Sequence, residues 1–220
     1  NALGQLTTTN GNTALGSNAG FAVAGASNTA IGQYALQAAT TTNDNTAVGA
    51  SALTANTGGA STTGIGSGAL SANTTGASNT AVGAGSLNDN TTGANNVALG
   101  RNTLSLNVTT SSNTAIGHEA LKANTASNNT AVGNAALVAN TTGASNTAMG
   151  HSALAASTTG TENVAVGMYA LDASGAGTDG SYNVAVGNDA LGANTEGQFN
   201  VGIGRRALYA NTVADENTAV

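Results

Sequence analysis

The residues of this chain that could do metal or acid–base chemistry are few and widely spaced. Histidine occurs only at His118 and His151, each directly after a recurring glycine and two repeats apart. If each repeat is one coil stacked about 4.8 Å from the next, the two side chains lie about 10 Å apart, too far to share a metal ion. We therefore expect no metal site, and the simpler interpretation is two exposed histidines at variable positions.

The carboxylates and hydroxyls do not form a catalytic pattern either. The ten Asp and Glu residues are scattered along the chain. They lack the spacing of calcium-binding β-rolls and the pairing that general acid–base catalysis requires. The many serines and threonines have no base in register with them. The sequence therefore predicts no catalytic residue, no enzyme activity and no cofactor.

Two variable positions follow each recurring glycine, and they are the best candidates for recognising a ligand. They hold aromatic, basic and polar side chains in a chain with only 6% charged and 3% aromatic residues. Such groups on a rigid sheet could contact a sugar or a protein, although exposed decoration or contact between chains is the simpler interpretation of any one of them. The candidate ligand-binding residues are Tyr34, Arg101, His118, His151, Tyr169, Arg205 and Arg206.

These positions recur because the whole chain is a repeat. The unit reads Asn, Thr or Val, Ala, a large aliphatic residue, Gly, two variable residues, Ala-Leu, a variable residue, Ala and Asn, followed by a connector rich in Thr, Ser, Gly and Asn. A steady period of this kind predicts coils stacked in a solenoid. We expect an all-β parallel β-solenoid (β-roll) of about 13 coils with a 17-residue repeat. The central glycines are Gly4, Gly16, Gly32, Gly49, Gly66, Gly83, Gly100, Gly117, Gly133, Gly150, Gly167, Gly187 and Gly204.

Each coil is expected to contain two short strands with the glycine at the corner between them. In one coil, Thr46 and Val48 stand two residues apart before Gly49 and so share a face of the first strand. Because Thr and Val interchange at the first of these positions, we interpret that face as buried. Leu53 and Ala55 after the glycine are predicted to share the inward face of a second strand.

The opposite face of both strands carries small residues, which bear on how the chains associate. Ala47 and Ala52 in one coil, and Ala115 and Ala120 in another, are expected to form flat strips suited to close packing with another chain. Only two or three large apolar side chains per coil make a thin core. We therefore expect an oligomer, and a homotrimer is the simplest closed arrangement for a fibre shaft.

Asparagine recurs at two further positions of the repeat, four residues before the glycine and seven residues after it. Asn tolerates left-handed backbone and hydrogen-bonds the amides of tight turns. Stacked side-chain amides can also bond from coil to coil. The repeat therefore predicts two ladders of asparagines, one containing Asn28 and Asn45, the other containing Asn56, Asn73 and Asn90.

The periodicity also predicts the organisation of the chain. Residues 1–220 are expected to form a single repeat domain that is a section of a longer fibre, because both ends fall inside a repeat unit. Residues 1–31 form irregular coils and residues 32–220 regular ones. The 20-residue step between Gly167 and Gly187 predicts a loop insertion at 174–182.

Composition excludes several classes of partner. The net charge is −6 with only four Lys and Arg, so there is no basic surface for nucleic acid. No run approaches the roughly 20 apolar residues of a membrane span, so no direct membrane insertion is expected. Cysteine is absent, which excludes disulfide bonds.

Two forms of the repeat resemble known fibre families. The unit Asn-Val-Ala-Val-Gly at residues 163–167 and 183–187 is similar to the Asn-Ser-Val-Ala-Ile-Gly repeat of trimeric autotransporter adhesin heads, which are left-handed parallel β-rolls with three chains to a fibre. The form at residues 79–83, with its Thr-Thr-Gly-Ala connectors, also resembles repeats in phage tail fibres and tail-fibre-like bacterial adhesins. The resemblance covers essentially the whole chain, but the 17-residue unit is longer than the adhesin-head repeat.

The resemblance implies an extracellular protein on a cell surface or a virion tail. We expect a structural and adhesive segment of a trimeric fibre that attaches to a cell or surface, with itself and a glycan or protein of a host or prey cell as partners. The alternative is a single-chain solenoid that binds an ordered lattice such as ice, or a glycan in the manner of a lectin. The strand threonines alternate with Val, which favours burial and therefore the first interpretation. An enzyme would need acids or bases clustered on adjacent coils.

Overall fold

The computed structural model describes residues 11–38, 41–173 and 180–220, and they form an all-β fold. Thirteen parallel strands delimit a β-solenoid of about 12 turns with a repeat of about 17 residues, which confirms the predicted fold class. The strands are β1 (Thr13–Leu15), β2 (Thr29–Ile31), β3 (Thr46–Val48), β4 (Thr63–Ile65), β5 (Thr80–Val82), β6 (Val97–Leu99), β7 (Thr114–Ile116), β8 (Thr130–Val132), β9 (Thr147–Met149), β10 (Val164–Val166), β11 (Val184–Val186), β12 (Val201–Ile203) and β13 (Thr218–Ala219).

The solenoid divides into two compact units, unit 1 from Asn1 to Ser112 and unit 2 from Asn113 to Val220. Unit 1 contains β1 to β6 and unit 2 contains β7 to β13. Within each unit equivalent residues pair with one another, as Thr46 does with Thr63 in unit 1. Copies of one repeat position therefore lie above one another, and we call such a set a column.

Parts of two predicted features fall outside the described residues. These are residues 1–10 of the irregular coils and residues 174–179 of the loop insertion. On either side of the insertion, β10 and β11 pair in the same register as the other strands, with Val164 opposite Val184. The extra residues therefore leave the strand columns undisturbed.

The strand faces are the reverse of those predicted. From β2 to β12 the central Ala or Gly is buried, while the two flanking residues are half-buried or exposed. In β3, Ala47 is buried and Thr46 and Val48 point outward. The interior has no room for a side chain larger than that of alanine at this position. A Cβ placed on Gly64, the central residue of β4, would already lie 3.3 Å from Cγ of Leu53. The branched side chains must therefore take the outer face.

The alanine strips predicted to pack against another chain are wrong for the same reason. Ala47, Ala52, Ala115 and Ala120 are all 0% exposed. They fill the interior of their own coils, together with the leucines.

The second predicted strand, after the glycine, is a turn. Its leucines adopt left-handed backbone with φ between 49° and 53°, a conformation that is rare for a bulky side chain. The turn is held by stacking, because the amide of Leu53 donates to the carbonyl of Ala69 in the next coil at 3.0 Å. It also turns the side chain inward, so that the leucines are the largest fully buried residues: Leu36, Leu53, Leu70, Leu87, Leu104, Leu121, Leu137, Leu154, Leu171 and Leu191.

The predicted glycine corner is confirmed, and Gly49 shows why only glycine fits. Its φ is +134°, which L-residues with side chains rarely adopt. A Cβ there would lie 2.5 Å from the carbonyl oxygen of Gly66 in the next coil. Both the conformation and the close stacking of backbones therefore require a residue without a side chain.

Both predicted asparagine ladders are confirmed, and they bond differently. In the column before the glycine, the side-chain oxygen of Asn28 accepts a hydrogen bond from the backbone amide of Asn45 at 3.0 Å. In the column after the leucine, side chains bond directly: Asn73 Nδ2 donates to Asn56 Oδ1 at 2.9 Å, and Asn90 Nδ2 to Asn73 Oδ1 at 2.7 Å. These buried amides tie each coil to the next.

Candidate functional site

The outward-facing strand residues form an uncharged, partly exposed surface of aliphatic side chains and threonines, which we call the aliphatic face. It consists of the first and third residues of each strand from β2 to β12. In unit 1 these are Thr29 and Ile31, Thr46 and Val48, Thr63 and Ile65, Thr80 and Val82, and Val97 and Leu99. In unit 2 they are Thr114 and Ile116, Thr130 and Val132, Thr147 and Met149, Val164 and Val166, Val184 and Val186, and Val201 and Ile203.

The aliphatic face is unusually open for a surface without charge. Ile65 is 38% exposed, Met149 45% and Ile203 41%, and none of the strands contains a charged residue. Monomeric soluble proteins rarely expose continuous apolar patches larger than a few hundred Å². A face of this kind is typical of a surface that contacts another molecule.

The seven predicted ligand-binding residues lie in the two exposed columns directly after the glycine. The first column holds Arg101, His118, His151 and Arg205, and the second holds Tyr34, Tyr169 and Arg206; all seven are exposed. Tyr34 and Arg101 belong to unit 1 and the other five to unit 2. Tyr169 lines a surface cleft.

A surface cleft of about 360 Å³ lies in unit 2 and spans three consecutive coils. Its lining consists of Tyr169, Asp172, Asp189, Gly192 and Tyr209. The volume falls in the range of roughly 300–1,000 Å³ that small-molecule sites occupy. Two phenol rings and two carboxyl groups therefore converge on one space of ligand size.

One residue of the cleft lining, Gly192, carries no side chain. Asp172, Gly192 and Tyr209 are successive members of the column that follows the buried leucine. A Cβ on Gly192 would lie 3.0 Å from Cε2 of Tyr209, so the ring of Tyr209 occupies the place that a side chain would take. The other members of this column in the described coils all carry side chains: Gln37, Thr54, Ser71, Asn88, Ser105, Lys122, Val138 and Ala155.

Asp172 is the most buried polar group of the cleft, at 9% exposure. Burial raises the pKa of its carboxyl above the ordinary value of 3.8 because the charged form loses solvation. Hydrogen bonds from the backbone amides of Ala156 and Ala155 and the charge of His151 act in the opposite direction, while the charge of Asp189 adds to the increase. The neutral acid of Asp172 is thus favoured relative to a free aspartate.

Two cationic or ring contacts hold the tyrosines at the edges of the cleft. The guanidinium carbon of Arg206 lies 4.3 Å from the centroid of the Tyr209 ring, a cation–π contact. The ring of His151 meets Tyr169 edge-on, with centroids 5.3 Å apart. Three of the predicted residues, His151, Tyr169 and Arg206, therefore meet at this site.

Four lining residues were not among the predicted ligand-binding residues: Asp172, Asp189, Gly192 and Tyr209. Asp189 occupies the same column as Tyr169, but the prediction favoured aromatic and basic side chains. The signal in the sequence was Gly192, a glycine at a position that holds a side chain in other coils. Its meaning depends on which residues lie above and below it, which only the stacking order provides.

Within residues 11–38, 41–173 and 180–220, no three His, Asp or Glu side chains are grouped to hold a metal ion. The same part of the chain contains no helix long and apolar enough to cross a membrane. Lys122 and Glu119 form an ion pair at 2.8 Å on the surface of one coil.

Comparison with protein families, with characterised proteins and with solved structures finds no family model, protein or structure that matches this chain.

Proposed function

We propose that this chain is a structural and adhesive segment of an extracellular trimeric fibre, on a cell surface or a virion tail, and that copies of the chain meet through the aliphatic face. The observation that carries the proposal is the uncharged, exposed aliphatic face on a repeat built to stack. Water contact with these branched side chains is unfavourable, and association would remove it. The resemblance of the repeat to trimeric adhesin heads and tail fibres supports the same assignment.

The area of the face agrees with association that grows along the repeat. A three-residue strand is about 10 Å long and coils are stacked about 4.8 Å apart, so each coil contributes about 50 Å² of face. The five strands of unit 1 that carry the face then contribute about 250 Å² and the six of unit 2 about 300 Å², each below the ~800 Å² per partner of a standard interface. Association through this face is therefore expected to be weak for a few coils and to strengthen with every coil added.

A trimer is the simplest assembly for such a surface. Within each unit the face follows the columns of the strands, and three copies arranged about an axis along those columns would bury it, as in the trimeric fibres that the repeat resembles. Closed symmetry of this kind limits assembly to a defined number of chains. A pairing that did not close would instead continue sideways into sheets.

The interface can be tested with single cysteines, because the natural chain has none. Val82→Cys places a thiol on the aliphatic face of β5, and Thr92→Cys places one in the exposed connector that follows. A short bifunctional thiol reagent is expected to link Val82→Cys chains to one another and to leave Thr92→Cys chains single. Equal linking of the two variants, or none in either, would contradict an interface on the aliphatic face.

The adhesive part needs a separate measurement. The Thr92→Cys chain, labelled with a fluorophore at its thiol, is expected to remain on intact bacterial or animal cells after washing. Chain denatured before labelling serves as the control. If the native chain is retained on no cell type above the level of the denatured control, the adhesive role is contradicted and only the structural role stands.

A second candidate function is binding to an ordered lattice such as ice. The observation that favours it is the threonine column of unit 1, Thr29, Thr46, Thr63 and Thr80, which lies on the outer face rather than in the core. Its hydroxyls repeat at the spacing of the coils, about 4.8 Å. Thermal hysteresis of the isolated chain, reduced by Thr63→Leu, would favour this candidate over the fibre.

A further inference from the structure

The residues that line the cleft in unit 2 are not part of the pattern that builds every coil, although Asp172 also accepts hydrogen bonds from the backbone amides of Ala155 and Ala156. The buried alanines, leucines and asparagines build the coil at every repeat, whereas Tyr169, Asp172, Asp189 and Tyr209 occupy columns that vary from coil to coil. Gly192 is not required by its backbone either, because other coils carry side chains at the same position. The repeat pattern of the coil therefore does not explain why these five residues lie together.

We propose that this cleft binds a pyranose ring of a carbohydrate. The exposed ring of Tyr169, and the face of the Tyr209 ring that Arg206 does not cover, offer apolar surfaces for the C–H faces of a sugar. The carboxyl groups of Asp172 and Asp189 offer acceptors for its hydroxyls. Together these groups line one cleft of about 360 Å³ that spans three coils.

The charges around the cleft favour a neutral sugar over a cation. The guanidinium of Arg206 already covers one face of the Tyr209 ring, so the place where a ligand cation would bind that ring is taken. The ring of His151 meets Tyr169 edge-on, with centroids 5.3 Å apart, so this side of the Tyr169 ring is also taken. A neutral polyol needs no compensating charge, and the two acids can accept its hydrogen bonds.

A site made of two rings and two acceptors on an open surface binds a single sugar weakly. A methyl pyranoside of about 13 non-hydrogen atoms is expected to bind with a Kd on the order of 1 mM. Several copies of the cleft in one assembly would increase the apparent affinity for a glycan-coated surface. Binding of the single sugar does not depend on that assembly, so its test is independent of the proposed fibre.

The test uses the whole chain and the methyl pyranosides of glucose, galactose, mannose and N-acetylglucosamine as probes. The chain has four tyrosines and no tryptophan, so tyrosine fluorescence reports on a site that contains two of the four. Ligand-observed NMR gives a second readout. At least one pyranoside is expected to change the fluorescence in a saturable way.

Three variants locate the binding. Gly192→Gln fills the cleft with a residue that occupies the same column at Gln37, and binding should become undetectable. Ser105→Gln makes the same change in unit 1 and should leave binding unchanged. Asp189→Asn keeps the shape but removes a charged acceptor, and should weaken binding about tenfold or more.

The results that would overturn the proposal are specific. They are saturable binding that Gly192→Gln leaves unchanged, no binding of any pyranoside well above millimolar concentration, or binding of butylammonium ion in place of every sugar. The last result would assign the cleft to a cation. None of them alters the cross-linking result expected for Val82→Cys, so the two proposals fail separately.

Discussion

The second asparagine ladder is interrupted in unit 2, and the interruption leaves a buried atom without a partner. Asn140 Nδ2 donates to Asn124 Oδ1 at 2.7 Å, but the oxygen of Asn140 accepts no hydrogen bond. The next position of the column is Ser157, which is fully buried and carries a hydroxyl in place of the longer carboxamide of asparagine. The free oxygen of Asn140 is thus explained by the residue above it.

Ser157→Asn should complete the ladder. The backbone is already suited to an asparagine, because the amide of Ser157 donates to Leu154 O at 3.2 Å, the same distance as from Asn140 to Leu137 O. The new amide would donate to Asn140 Oδ1 as Asn90 does to Asn73 at 2.7 Å. A typical hydrogen bond adds about 1 kcal/mol, and relief of a buried unpaired acceptor is worth about 1–3 kcal/mol. We expect a gain of about 1–2 kcal/mol.

Native-state hydrogen exchange is the most suitable assay, because a repeat protein opens locally and a single unfolding midpoint averages over its coils. The amides of the coils containing Asn140 and Ser157 should exchange about 5- to 30-fold more slowly in Ser157→Asn. Ser105→Asn, outside the ladder columns, is the control and should change exchange little. Unchanged or faster exchange in Ser157→Asn would refute the idea that these ladders stabilise the stack.

Two further predictions concern backbone strain and titration. Ala135 adopts φ of 55°, so Ala135→Gly should raise the free energy of unfolding in urea by about 0.5–1 kcal/mol. Ala84→Gly, at a position without positive φ, is the control and should lower it. A lower free energy of unfolding in both variants would contradict the left-handed turn. Because burial raises the pKa of Asp172 in the folded chain, its stabilising contribution is complete below pH 3.8 and is lost as the pH rises through the raised pKa. The urea midpoint of Asp172→Asn should therefore depend less on pH than that of the natural chain, and the variant should gain stability relative to the natural chain as the pH rises to neutral. A pH profile identical to that of the natural chain would contradict a buried, titrating carboxyl.

Much of the coil could be predicted from the sequence because its strongest constraints are local or strictly periodic. Gly49 needs positive φ and has no room for a side chain. A glycine at that position in every repeat therefore predicts a corner of the coil. The asparagines recur with the same period, and stacking then places Asn73 next to Asn56. The solenoid follows from the period and from these two residue types.

The direction of the strand side chains could not be predicted, because a strand of three residues has no alternation to read. Thr46 and Val48 flank one alanine, and either face could have been inward. The interchange of Thr and Val suggested burial, but a half-buried outer face of a sheet also suits branched side chains. The strand predicted around Leu53 is wrong for a second reason. The left-handed backbone of Leu53 is held by hydrogen bonds to the next coil and does not follow from the preference of leucine.

The cleft was predicted only in part because it depends on residues separated by whole repeats. Tyr169 was found from its own column, as an aromatic side chain at a variable exposed position. Tyr209 and Asp172 belong to another column, and they become neighbours of Tyr169 only when three coils are stacked in register. Gly192 has no side chain, and its position against the ring of Tyr209 follows only from the stacking of the coils.

Sedimentation equilibrium of the isolated chain tests the central claim most directly, because it measures mass without reference to shape. The account predicts folded particles of three times the 20.8 kDa chain mass, which dissociate when Val48 and Val82 on the aliphatic face are both replaced by aspartate. A folded wild-type monomer at 20.8 kDa over the whole accessible concentration range would show that the aliphatic face is not a contact between copies and would contradict the fibre.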